Sequence, residues 1–177
     1  MQIYVLRHGQ TNYNLKALCN GDPKRDVHLT PEGIKQAEVA AEKLKNDSID
    51  LILVSELPRT RQTAEIINRY HQVEIAARSD INDIRSGFED RSVSEYQSAI
   101  ARDRLNSKFN DGESLLEHKQ RIQGFLGWLQ NQNFASVLIV AHEETLRVVD
   151  AYFRQLDDET MIDLHFRNCE ILRYSIP

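Results

Sequence analysis

Residues 3–9 read Ile-Tyr-Val-Leu-Arg-His-Gly. The four uncharged positions Ile3 to Leu6 predict a strand buried on both faces, and Arg-His-Gly predicts a turn at its carboxyl end. Leu51 to Val54, Glu74 to Ala77 and Val137 to Ala141 are further strand-like runs, and helical periods fill the intervals. Thr30 as N-cap with Pro31 at the first helical position opens a helix along which Ile34, Ala37, Ala41 and Leu44 share a face. Ser55 to Arg61 leads into another, with Ala64 and Ile67 on its apolar side and Arg61 on its solvated side. Tyr96 to Leu105 reads as helix. Ser114 and Glu117 form a capping-box signature ahead of a helix whose core stripe includes Leu115, Ile122, Phe125, Leu126 and Leu129. Beyond His142, the positions Leu146, Val149 and Phe153 again keep helical spacing, and the tail from Met161 to Ile176 is expected to add two short strands. Strands alternating with helices predict an α/β fold, a three-layer α/β/α sandwich around a largely parallel sheet.

The 177 residues, 41% hydrophobic and 28% charged, suit one domain spanning 1–177. A net charge of −5 and a pI near 5.7 give no broad basic field, which argues against a nucleic-acid partner. No apolar stretch is long enough for a membrane span, and the start turns polar at Arg7, too soon for a signal peptide, so a cytoplasmic protein without a membrane partner is expected. Cys19 and Cys169 stand at no metal-ligand or redox spacing and are expected as reduced thiols. Nothing in the composition sets an oligomeric state.

In an open α/β sheet, ligands bind beyond the carboxyl ends of the strands. That position falls to Arg7, His8, Ser55, Arg59 and His142. Two arginines and two histidines repel one another unless an anion sits among them, and phosphate matches the guanidinium fork. The charged, aperiodic segment from Asp80 to Ser92 fits no regular element and reads as a functional loop.

These residues resemble a known family. Leu6 to Asn14, LRHGQTNYN, is similar to the nucleophile motif of the histidine phosphatase superfamily, also called phosphoglycerate mutase-like. Gly21, Asp26, Leu29, Thr30, Gly33, Gln36 and Ala37 resemble its next block, and Ser55, Arg59, Gln62, Thr63 and Ala64 its second-arginine helix. Gly112, Glu113 and Ser114, then Val140, Ala141, His142 and Arg147, complete an ordered series over nearly the whole chain. The resemblance implies that His8 becomes transiently phosphorylated, that Arg7, Thr11, Asn14, Arg59 and His142 serve the phosphate, and that no cofactor or metal is needed.

Two departures stand out. Glu143 and Glu144 follow His142 where the family usually has glycine; the Glu143 amide remains available to a phosphate, and both carboxylates are expected to favour the start of the following helix. Asp83 stands where many relatives place a glutamate acid, with Gly87, Phe88 and Glu89 after it. Asp83 is therefore the expected proton donor, ahead of Glu89 and Asp80. Zinc held by His8 and His142 lacks an evident third ligand. His28, His71, His118 and His165 read as ordinary surface or interface residues, and Arg147 as either a brace of the crevice or a partner for a nearby carboxylate. The expected activity is hydrolysis of a small phosphorylated metabolite. Phosphoglycerate mutase-type transfer is the first alternative, disfavoured by the short chain, and a weakly catalytic phospho-ligand binding module is the second.

Overall fold

In the computed structural model, which describes residues 1–176, the opening run is strand β1, Gln2–Arg7. It joins β2 (Leu51–Val54), β3 (Glu74–Ala77), β4 (Ser136–Ala141) and β5 (Ile171–Ser175) in one sheet of order β3-β2-β4-β1-β5. The first four are parallel, and β5 runs antiparallel along β1. Side chains alternate across a strand, so Ile3, Val5, Leu51, Leu53, Val137 and Ile139 face one side. Tyr4, Leu6, Ile52, Val54, Leu138 and Val140 face the other.

Helices cover both faces. α1 (Asn12–Lys16) and α2 (Pro31–Leu44) follow β1, and α3 (Pro58–Ile67) follows β2. α4 (Val93–Ile100) and α5 (Leu115–Gln130) follow β3; α6 (Glu143–Arg154) and α7 (Asp158–Ile162) follow β4. Ala40, Ala41 and Leu44 of α2 pack with Ala64 and Ile67 of α3 on the Leu6 face, while Ile122, Phe125 and Leu126 of α5 and Leu146 and Val149 of α6 pack on the Ile3 face. The chain therefore leaves β1 and β2 toward one face and β4 toward the other. The strand ends part there and open a crevice.

Register then places the site. Arg7 pairs with Ala141 and Val54 with Val140, so His8, Ser55 and His142 emerge side by side at the same end of the sheet.

The helical face of α2 differs in one respect from the sequence reading. Its buried stripe is Gly33, Ala37, Ala40, Ala41 and Leu44, and Ile34, at the edge of that stripe, is 41% exposed. The helix expected over Tyr96 to Leu105 starts earlier and stops at Ile100, because Ser92 and Glu95 form a capping box that fixes its first turn. In the tail, one of the two expected strands is instead α7: the Asp157 side chain accepts from the Thr160 amide, and the turn it starts buries Met161 and Ile162. Only Ile171–Ser175 is a strand.

Two glycines seat the loop after β1 on the start of α2. A Cβ on Gly9 would lie 2.5 Å from the Gly33 carbonyl oxygen, and one on Gly33 would overlap the Gln10 carbonyl, which already accepts from the Thr30 amide at 2.9 Å. Exposed Gly124 of α5 has open space around it. Gly33→Ala is expected to destabilise by about 1–3 kcal/mol through overpacking. Gly124→Ala should stabilise by roughly 0.5–1 kcal/mol through lost chain entropy. Urea denaturation of both variants measures the contrast.

Candidate active site

His8 is 3% exposed, and its Nδ1 lies 2.7 Å from the Gly9 carbonyl oxygen. A carbonyl only accepts, so Nδ1 carries the proton and Nε2 the lone pair. Nε2 accepts from Arg59 Nε at 3.1 Å. Burial first, then the charges of Arg59 and Arg7, hold His8 well below the usual histidine pKa and keep it neutral.

His142, fully buried, faces His8 with ring centroids 5.3 Å apart. Its Nδ1 lies 3.2 Å from Arg59 Nη2, a donor, which leaves the Nε2 proton for Ser55 Oγ at 2.9 Å. Ser55 is tied to Thr60 Oγ1 at 2.9 Å, and Thr60 donates to the Leu57 carbonyl at 2.8 Å. This chain of hydroxyls fixes the ring at the start of α6. Burial, and next Arg59, depress the His142 pKa well below its usual value.

Arg59, 4% exposed, also has Nη2 within reach of the Asn20 carbonyl at 3.0 Å and Asp83 Oδ2 at 2.7 Å, while its buried Nη1 has no partner. Arg7 donates through Nη1 to the Phe166 carbonyl at 2.6 Å and pairs with Glu143 Oε2 at 2.7 Å, and its buried Nε is unmatched. The Asn20 side-chain nitrogen is a third buried donor without an acceptor. Unmatched buried donors are costly. Three of them, on residues lining one cavity, form a place for an anion. Asn20 belongs to no block singled out in the sequence; only the folding of its loop onto Arg59 reveals it.

Asp83 lines the same cavity, with the Ile84 amide donating to Oδ1 at 2.9 Å and His142 Nδ1 3.4 Å from Oδ2. Burial, followed by the charge of Glu144, raises its pKa well above the ordinary carboxylate range despite the Arg59 pair. The other two acid candidates lie elsewhere. Both Glu89 oxygens accept from the Gly21 amide, at 2.9 and 3.1 Å, and Asp80 pairs with Arg78. Thr11 and Asn14 line the cavity too, but their side chains cap α1: Thr11 Oγ1 accepts from the Asn14 amide at 3.1 Å and Asn14 Oδ1 from the Thr11 amide at 3.0 Å.

Glu143 and Glu144 begin α6, as expected, yet that reading is incomplete because both side chains line the cavity. Glu143 meets Arg7, Arg147 at 3.3 Å and His165 at 3.2 Å, so Arg147 both braces the crevice and pairs with a carboxylate. His165 is thus a rim residue, and His118 is fully buried against Arg121. The cavity holds about 730 Å³ and extends from His8 to Leu18, Tyr96, Ile100 and Leu115. Among the described residues no three His, Cys, Asp or Glu side chains are grouped as metal ligands. No helix among them is long and apolar enough to cross a membrane.

The model of the histidine phosphatase superfamily (branch 1) matches residues 3–176. The chain belongs to this superfamily. It is 34% identical over 142 residues to the uncharacterized phosphatase PhoE of Bacillus subtilis, covering 79% of this chain and 70% of that one. It is also 28% identical over 182 residues to GpmB of Proteus mirabilis, whose name gives phosphoglycerate mutase as the probable activity, covering 98% and 84%. The crystal structure of the alpha-ribazole phosphatase of Shigella flexneri superposes with a TM-score of 0.89 at 25% identity, over 100% of this chain and 91% of that one. Relatives of this superfamily member are thus named as phosphatases and mutases, and its α/β sandwich is the family fold.

The loop carrying Asp83 is clamped from α5. Arg121 Nη1 donates to the Asp80 and Asn82 carbonyls, both at 3.0 Å, and its Nη2 pairs with Glu113, whose Oε1 also accepts from the Arg85 amide at 3.1 Å. Burial raises the Glu113 pKa, but the nearby His118 and the Arg121 ion pair outweigh it and bring the value down to about 2. A depressed carboxylate pKa stabilises the fold above the unfolded-state value near ~4.3, and that stability is lost as pH falls toward the folded value. Glu113→Gln should therefore lose about 2–3 kcal/mol at pH 7. The gap to the wild type should narrow as pH drops below about 4, as urea midpoints across pH will show.

Proposed function

We propose that this chain is a metal-independent phosphomonoesterase that hydrolyses a small phosphorylated metabolite through a phosphohistidine on His8. The observation that carries this is a neutral histidine, its Nε2 held by Arg59, in a cavity also lined by Arg7, Arg59 and Asn20, each of which has a buried donor without a partner. The Nε2 lone pair attacks phosphorus and the bond to the ester oxygen breaks, while Nδ1–H stays on the Gly9 carbonyl. Asp83 gives its proton to the departing alkoxide. Water then attacks the phosphohistidine and returns a proton to Asp83, the N–P bond breaks, and inorganic phosphate is released.

Charge placement lowers the barrier. Arg7, Arg59 and Asn20 surround the equatorial oxygens in a water-poor site, which is where fixed donors act most strongly. His142 presents a lone pair at Nδ1 without ligand, so its service to a phosphate oxygen requires a proton there, and a bound dianion favours that protonation.

His8→Ala should retain below about 1% of turnover with an unchanged circular dichroism spectrum, because the variant lacks the imidazole that attacks phosphorus in this scheme. Labelled substrate quenched at high pH should mark His8 in the wild type, and turnover should persist in excess chelator. Turnover without a phosphohistidine, or its loss to chelator and recovery with zinc, would refute the proposal.

Asp83 works as an acid only when protonated, so the rate on an alkyl phosphate should fall as pH rises through its elevated pKa. Asp83→Asn should remove that limb and slow phosphorylation by an alkyl ester by roughly 10²-fold, while sparing an aryl ester whose leaving group departs unaided. Single-turnover rates for both esters across pH provide the check.

A further inference from the structure

The cavity is far larger than a phosphoryl group requires, and its two ends differ in chemistry. Away from His8 the wall is formed by Leu18, Val93, Tyr96, Ile100, Leu115 and Ile162. Three of these, Val93, Tyr96 and Ile100, recur at helical spacing and form one face of α4. No residue of α4 is buried, so that apolar face is only half covered by the chain's own atoms. Tyr96 is held against Phe88 with ring centroids 5.7 Å apart, which presents a fixed aromatic surface to whatever enters.

Charge at this end is already matched. Arg104 pairs with Asp163 at 2.7 Å and donates to the Ile162 carbonyl at 3.2 Å. Arg147 donates to the Leu164 carbonyl at 2.7 Å and faces Glu143 at 3.3 Å and Glu144 at 3.9 Å. Beyond the phosphate end, both arginines that line the cavity are therefore already paired, Arg147 with Glu143 and Glu144, and Glu143 is also the partner of Arg7. A second anionic group on the substrate would have to displace a resident carboxylate to reach Arg104 or Arg147.

We infer that the alcohol half of the substrate is uncharged and lays an apolar, ring-sized face on Val93, Tyr96 and Ile100, so that monoesters carrying a carboxylate, phosphoglycerates included, are disfavoured. This rests on the phosphomonoesterase reading and narrows it. Burial of a ring against this wall gives preference through lost apolar surface, and the carboxylates give it through repulsion and desolvation.

Phosphonates test the inference apart from turnover, since their C–P bond is not cleaved. Calorimetric affinities of propyl-, 3-phenylpropyl- and 3-carboxypropylphosphonate for the intact protein are compared, alongside turnover of an aryl phosphate. The phenyl compound should bind at least about tenfold tighter than the propyl compound, and the carboxylate compound no tighter than propyl. Tyr96→Ala should remove most of the phenyl advantage and leave propyl binding unchanged. Ile100→Asn, on the same face, serves as the second variant should Tyr96→Ala unfold. Glu144→Gln should improve binding of the carboxylate compound several-fold and leave the phenyl compound alone, a selectivity that a merely structural role would not produce. Propyl binding without a phenyl advantage, or tightest binding of the carboxylate compound, overturns the inference and leaves the phosphatase reading standing. Failure of all three to bind, with no aryl phosphate turned over, overturns both.

Discussion

One buried guanidinium organises the site. Arg59 reaches the lone pair of His8, the lone pair of His142, the Asp83 carboxylate and the Asn20 carbonyl. A charge withdrawn from water must be compensated in place, and these four acceptors do so. Burial first, then this charge, keeps both imidazoles neutral, so one residue acts on both rings. The unmatched donors on Arg7, Arg59 and Asn20 are a cost to stability of the kind active sites commonly carry.

The carboxylates temper this charge. Asp83 sits on Arg59 and Glu143 on Arg7, so without ligand each guanidinium already has a counter-ion. A phosphate entering the site must share those arginines with resident carboxylates. Its affinity is therefore moderated.

Much of this was legible in the sequence, for identifiable reasons. Uninterrupted apolar runs mark strands buried on both faces, and the residues following them must lie at one end of a parallel sheet, so Arg7, His8, Ser55, Arg59 and His142 were found by position alone. Capping signals at Thr30 and Ser114 placed two helices correctly. What stayed hidden depends on contacts distant in sequence. Asn20 matters only because its loop folds over Arg59. Glu89 has the residue type of an acid, but its carboxylate accepts from the Gly21 amide, a contact 68 residues away in sequence. In the tail, the cap at Asp157 was a readable signal, but Met161 and Ile162 resemble a strand as readily as a turn of helix that buries them.

The strand order bears on how the protein is made. β1 leads directly into His8, yet its two neighbours in the sheet come from much later in the chain: Ile3 pairs with Val137 on one side and with Tyr174 on the other. During synthesis β1 is complete long before either partner leaves the ribosome, and pairings of such high contact order form late and slowly. The nascent chain must therefore hold an apolar strand without its partners until β4 and β5 have been made. His8 meets His142 only once β4 has been added between β1 and β2, so every shorter nascent chain lacks the assembled pair.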